Sequence, residues 1–211
     1  MTDRALIDVE SDPVPIVLIL AATLRRAART PKLAAAIGHA KGNVALKSTT
    51  DPQAATMRFG GGRVVVVRGV SRDTDVLISA DLNTMSDENP PKPKVVGIAR
   101  HPKLALTVSK LLDPPHGTWQ VEAERFFEFA TQRPRSPRSL RVVCTDDGSE
   151  LTLGEAPAEY ELHGSQHALL NIFLGNTVLG QDLLDGKLHA VGKLAHLAEL
   201  TGSSLDWMLG R

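Results

Sequence analysis

The chain has 211 residues, of which 42% are hydrophobic and 23% charged. That composition is ordinary for a globular protein and large enough to bury a real core, as one large domain or two small ones. Lys plus Arg and Asp plus Glu both number 24, so the formal net charge is +0 at pH 7; no global field exists to hold nucleic acid or an anionic membrane.

The single cysteine, Cys144, excludes an internal disulfide and predicts a reducing compartment. The first dozen residues are acidic (Asp3, Asp8, Glu10, Asp12) and predict a loosely held start, without the basic region of a secretory signal. The longest apolar run, Val14 to Ala22, contains Pro15 and is far shorter than the roughly 20 residues needed to cross a bilayer. A soluble cytoplasmic protein with no integral membrane segment is expected.

Pro13 and Pro15 introduce a predicted helix over Ile16 to Arg29, apolar on nearly every side. Pro31 interrupts it, and a second short helix over Lys32 to His39 is expected to end at Gly38. Met57 to Gly69 reads as a β-hairpin: Met57-Arg58-Phe59, a turn at Gly60-Gly61-Gly62, then the β-branched run Val64 to Val67. Asp75 to Asp81 supplies a third strand. Met85 to Lys94, with Pro90, Pro91 and Pro93, forms a stiff connector. A strand over Val95 to Ala99 and a helix over Lys103 to Leu112 follow.

Asp113-Pro114-Pro115-His116-Gly117 marks the expected boundary between a first unit, residues 1–112, and a second, residues 118–211. Beyond it, Trp119, Ala123, Phe126, Phe127 and Ala130 recur as one face of a helix. Glu122, Glu124, Arg125 and Glu128 fill the opposite side. Arg133 to Arg138 is a basic, proline-rich loop. Leu140 to Thr145 and Glu150 to Leu153 form a second hairpin, Glu159 to His163 a third strand, and Gln166 to Leu174 a helix. A loop through Gly175 and Gly180, a last strand over Lys187 to Val191, and closing helices over Leu194 to Met208 complete the chain.

Lys94 to Leu106 (KVVGIARHPKLAL) and Lys187 to Glu199 (KLHAVGKLAHLAE) share a pattern. Placing Gly97 on Gly192 brings His101 onto His196, because 192 − 97 and 196 − 101 are both 95. An apolar helix, a glycine-turned hairpin and a third strand precede each copy. A fixed internal period signals a duplicated structural unit.

The stretch Glu159 to Gly202 resembles the sterol carrier protein 2 family of sterol- and lipid-binding domains. The resemblance is carried by Leu162-His163-Gly164-Ser165, by Leu169-Leu170-Asn171-Ile172-Phe173-Leu174, by Asp185-Gly186-Lys187-Leu188-His189-Ala190-Val191-Gly192, and by a closing helix with Leu194, Leu197, Ala198 and Leu200. The first half fits as a degraded copy, with Gly69, Asp75 to Asp81 and Val96-Gly97 in place and the proline-rich connector replacing the segment that corresponds to Phe173 through Gly186. The resemblance implies an α+β protein of two sterol-carrier-like units, each a mainly antiparallel twisted sheet covered by helices. It further implies non-catalytic binding or transfer of a hydrophobic small molecule, a sterol, fatty acid or acyl-coenzyme A, with no cofactor. The alternative is an interaction or scaffold protein that keeps the fold with a filled hollow, or an accessory subunit of a separate enzyme, so that a protein is its partner.

A carrier needs an apolar lining. The candidates are Phe126, Phe127, Leu170, Phe173, Leu174, Leu183, Leu184, Leu194 and Leu197, with Trp207 or Met208 near the mouth. The same residues serve equally well as ordinary core. Other constellations are weaker. His163 and His167 stand at metal-ligand spacing, but Gly164-Ser165 separates them and no cysteine or carboxylate cluster completes a site. Gly175 and Gly180 lack the Lys-Ser/Thr of a phosphate loop, and no Gly-x-Ser-x-Gly elbow exists. Gly60-Gly61-Gly62-Arg63 reads as a hairpin turn rather than an anion nest. Cys144, mid-strand, reads as an inert buried thiol. Arg133, Arg135, Arg138 and Arg141 form the one concentrated basic patch.

Overall fold

The structure, a computed structural model, describes residues 6–211. The chain divides into two compact units, the first running to Pro115 and the second from His116 through Leu209. Both are α+β, and in both one face of a mainly antiparallel sheet is buried under helices. No described helix is long and apolar enough to cross a membrane.

The first unit contains β1 (Leu6–Val9), α1 (Pro15–Ala28), α2 (Pro31–His39), β2 (Gly42–Ser48), β3 (Ala54–Gly60), β4 (Arg63–Arg68), β5 (Val76–Ala80), β6 (Lys94–Val96) and α3 (Pro102–Leu112). All three helices have proline in the first turn, where its missing N–H is an orphan donor anyway. The sheet order is β1-β4-β3-β2-β5-β6. Leu24, Ile37, Val44, Met57, Val64, Val76, Val108 and Leu111 are buried together between this sheet and the helices.

Two strands of this unit escape the sequence. Gly42–Ser48, with a single β-branched residue, is the strand between β3 and β5. Its Val44 and Ala45 are both fully buried though they point to opposite faces, so burial rather than intrinsic propensity makes it extended. The acidic start is not loose at Leu6–Val9, which pairs in parallel with β4. Asp8 lies 3.5 Å from Arg63, and Glu10 accepts the Arg68 N–H at 3.1 Å; the positive ends of β4 explain an acidic edge strand. For residues 1–5 the expectation lies outside the described residues.

The second unit contains α4 (Trp119–Ala130), β7 (Ser139–Cys144), β8 (Glu150–Gly154), β9 (Tyr160–Gly164), α5 (Gln166–Leu174), α6 (Leu179–Leu184), β10 (Leu188–Gly192) and α7 (Leu194–Leu209). The sheet order is β10-β9-β7-β8. Cys144 is buried at the end of β7. The expected Gly175–Gly180 loop is in part helical, because α6 starts at Leu179, and the closing segment is one continuous helix.

The two sheets share a pairing scheme. In the first, Val96 pairs with Leu77, Leu77 with Ala45, and Ala45 with Thr56. In the second, Val191 pairs with Glu161, Glu161 with Arg141, and Arg141 with Thr152. The outer two pairs are antiparallel and the central pair parallel in each. By this scheme β2, β3, β5 and β6 correspond to β7, β8, β9 and β10. The Met57–Gly69 hairpin is present as β3 and β4, but the counterpart of β7–β8 is β2–β3. The sequence pattern sets the wrong hairpin against the second one, because the strand that carries the match, β2, has no strand-like composition.

The repeated Gly-x-x-x-His spacing does the same job twice. Gly97 follows β6 at φ +95, and a Cβ there would collide with the carbonyl oxygen of Asp75, just before β5. Gly192 ends β10, and a Cβ there would collide with the Tyr160 ring at the start of β9. One turn later each histidine returns to that place. His101 Nε2 lies 3.5 Å from Asp75, and the His196 ring meets Tyr160 edge-on with centroids 6.5 Å apart. Gly97→Ala and Gly192→Ala are expected to lower stability by about 2–4 kcal/mol each. Gly38→Ala, inside α2 with nothing within 4 Å of a new Cβ, should be neutral or raise it by up to about 1 kcal/mol. Urea unfolding checks all three, and a parental midpoint for Gly97→Ala would disprove the close approach.

Candidate functional site

The helices of the second unit bring most of the proposed lining together. α4 puts Trp119, Ala123, Phe126 and Ala130 into the core, the face its periodicity predicts. Glu122 departs from that prediction: it is buried, accepting the Gly117 N–H at 3.0 Å and Arg125 at 2.8 Å. Its carboxylate folds back over its own helix N-terminus, where unpaired amides and the positive end of the helix favour it.

α5 is set by its caps. Ser165 Oγ accepts the Ala168 N–H at 3.2 Å, and Gly175 closes the helix at φ +70. A Cβ at Gly175 would lie 3.0 Å from Trp207 Cδ1, so the turn leaves room for α7. Trp207 Nε1 donates to the Phe173 carbonyl at 2.8 Å, satisfying an oxygen that the end of α5 leaves without a helical partner. Around this bond the rings gather. Phe126 lies 5.7 Å from Phe173 and 6.3 Å from Trp207, and Phe129 lies 5.1 Å from Trp207.

The candidates fall into three classes. Phe126 and Phe173 are interior. Phe127, Leu170, Leu183, Leu197 and Trp207 are half-buried and packed against that interior, and Leu174 and Met208 are half-buried as well. Leu184 and Leu194 face solvent, 85% and 78% exposed, and do not join the cluster. Phe129 is not among the residues that the sequence pattern selects, although it lies three residues from Phe126 on α4 and its ring meets Trp207.

A polar seam, not legible as a site in the sequence, lies beside this apolar layer. Ser204 Oγ accepts the Leu179 N–H at 3.0 Å and donates to the Thr201 carbonyl at 2.8 Å, so α7 caps the start of α6. Asp182 is only 2% exposed, and Thr177 Oγ1 donates to it at 2.5 Å. Burial pushes the Asp182 carboxyl above its ordinary 3.8, opposed by the Thr177 hydroxyl and the charge of Lys187. Ser203, fully buried on α7, has a hydroxyl with no hydrogen-bond partner among the described residues. The available signal for these residues is serine at core spacing among the apolar positions of α7: Leu200, Ser203, Ser204 and Trp207.

The remaining constellations have structural roles. Arg133 pairs with Asp206 and, at 3.9 Å, with Glu199. Arg141 bridges Glu150 at 2.8 Å and Glu161 at 3.3 Å, so two of the four arginines of the basic patch are committed to carboxylates. His163 lies on β9, 3.2 Å from Glu161, whereas His167 is on α5, 2.9 Å from the Asn171 amide; the two are on different elements. Among the described residues, no group of three or more His, Cys, Asp or Glu side chains is placed to hold a metal ion.

The raised Asp182 carboxyl has a consequence for stability. The folded state holds a proton that the unfolded state has lost, so stability falls as pH rises from 3.8 through the raised folded value. Asp182→Asn keeps an acceptor for Thr177 and removes the ionisation. It is expected to melt above the parent at pH 7, with the difference vanishing below pH 3.8; a parental melting temperature at both pH values would contradict the assignment.

No protein-family model matches the chain, and no curated protein matches it. Nine chains of solved structures show similarity, among them two described in terms of sterol carrier proteins. One is the sterol carrier protein domain 2 of Helicoverpa armigera, with 14% identity over 44% of this chain and 84% of that one, at a TM-score of 0.31. The other is a conserved hypothetical protein of Thermus thermophilus, described as possibly a sterol carrier protein, with 10% identity over 98% and 94%, at a TM-score of 0.21. At such scores neither similarity defines the architecture, which rests on the strand order and register described above.

Proposed function

We propose that the chain binds or carries a hydrophobic small molecule in the helix-covered layer of its second unit, without catalysing a reaction. The guest class is that implied by the family resemblance: a sterol, fatty acid or acyl-coenzyme A. The observation that carries this reading is the half-buried set Phe127, Leu170, Leu183, Leu197 and Trp207, packed on an aromatic interior. In this reading, five large apolar side chains at the boundary between core and solvent are where a lipid chain would leave water. Each methylene that leaves water gains about 0.8 kcal/mol, so about ten would supply about 8 kcal/mol before the costs of ordering.

In the same reading the units arose by duplication, residues 1–112 and 118–211. The matched pairing scheme and the doubled Gly-x-x-x-His contact support this. The first unit is then a degenerate copy, in a soluble cytoplasmic protein that needs no cofactor. A second reading, a scaffold with a filled interior, is favoured by the mutual contacts of Phe126, Phe173 and Trp207, which occupy one another's surfaces.

Diphenylhexatriene fluorescence, with displacement by a sterol or fatty acid, separates the two. A carrier should show saturable binding, weakened about tenfold or more in a folded Leu170→Asp variant, because a carboxylate at that boundary must be desolvated by the guest. A parent protein that gives no saturable signal would end the carrier reading and leave the scaffold reading standing.

A further inference from the structure

We propose that Ser203 is the specificity-determining residue of this site and selects a guest with an uncharged hydroxyl head over one with a carboxylate. The proposal rests on the binding function proposed above. His196, Leu200, Ser203 and Trp207 stand at offsets of 0, 4, 7 and 11 along α7, which is one helical face. That face meets Tyr160 at one end and Phe126 at the other.

Two polar atoms on it, His196 Nδ1 and Ser203 Oγ, are buried with no hydrogen-bond partner among the described residues. The neighbouring Ser204 shows that the fold can satisfy a buried hydroxyl here, since it both donates and accepts. Ser203 does neither, although a helical serine can bond a carbonyl in the preceding turn. An unpaired buried hydroxyl disfavours folding, and alanine would fill the position without that cost. A partner from outside the chain would satisfy the hydroxyl.

Its surroundings define that partner. One turn along lies Trp207, whose only polar side-chain atom is already given to Phe173. On this side of the unit Arg125, on α4, is held by Glu122, and Arg133, just after it, by Glu199 and Asp206. A buried anionic head would find no uncommitted cation among them and would lose its hydration. A hydroxyl can exchange one hydrogen bond with Ser203 and lay its chain among the rings.

Three fluorescent probes test this on the full chain: parinaryl alcohol, parinaric acid at about pH 8, where a carboxylic acid is ionised, and the hydrocarbon diphenylhexatriene. The parent should bind the alcohol about tenfold more tightly than the carboxylate. Ser203→Ala should lose about tenfold in affinity for the alcohol, keep its affinity for the hydrocarbon, and melt no lower than the parent. Ser203→Thr, which restores a hydroxyl, should recover part of the alcohol affinity. Equal affinity of the Ser203→Ala variant and the parent for the alcohol, or an equal loss for all three probes, would overturn the assignment while leaving lipid binding intact. Failure of the parent to bind any probe would overturn the binding function itself, and this inference with it.

Discussion

The inner face of α7 is the constraint on which the second unit turns. Trp207 must bury most of its ring, donate its N–H and leave α5 room to end, and it does all three only because Gly175 lacks a side chain. Once Trp207 is seated against Phe126, Phe129 and Phe173, the helix axis is set. Leu200 then reaches the core, and Ser204 reaches the first amide of α6. On the other flank, Arg133 joins the loop after α4 to Glu199 and Asp206. The helical layer is thus held by ring packing and by directional bonds, one of which lies among the rings.

The motif residues that evoke a lipid-carrier domain have local physical explanations in this chain. Gly164 lets β9 approach Leu188, and Ser165 caps α5. Asp185 and Gly186 end α6, Gly186 at φ +70. These are the residues that any strand–helix–helix–strand connection of this tightness would select. They define the shape of the unit; under the proposed function, recognition of a guest falls instead to the half-buried apolar set and Ser203.

The two units solve one pairing problem with different peripheries. In each, a strand lies between an antiparallel and a parallel neighbour, and a glycine after or at the end of the edge strand is pressed against the start of the next strand. The first unit places its extra residues in two further strands, β1 and β4. The second places them in α5 and α6, between β9 and β10, where the first has the proline-rich connector. Of the aromatic residues at the candidate site, Phe173 lies in that insertion, and Phe126, Phe127, Phe129 and Trp207 lie on α4 and α7.

By itself the sequence determined the elements with strong local character. The valine run of β4, the apolar stripe of α4, the capped α5 and the Gly97/Gly192 spacing were legible because propensity, caps and periodicity act within a few residues. Tertiary structure decided the rest. It made Gly42–Ser48 a strand by burying both of its faces, drew Glu122 inward through the amide of Gly117, and turned Leu184 and Leu194 to solvent. It also separated Ser204, which found partners across the α6–α7 contact, from Ser203, which did not. Adjacent serines on one helix are equivalent in sequence, and only the position of neighbouring donors and acceptors tells them apart.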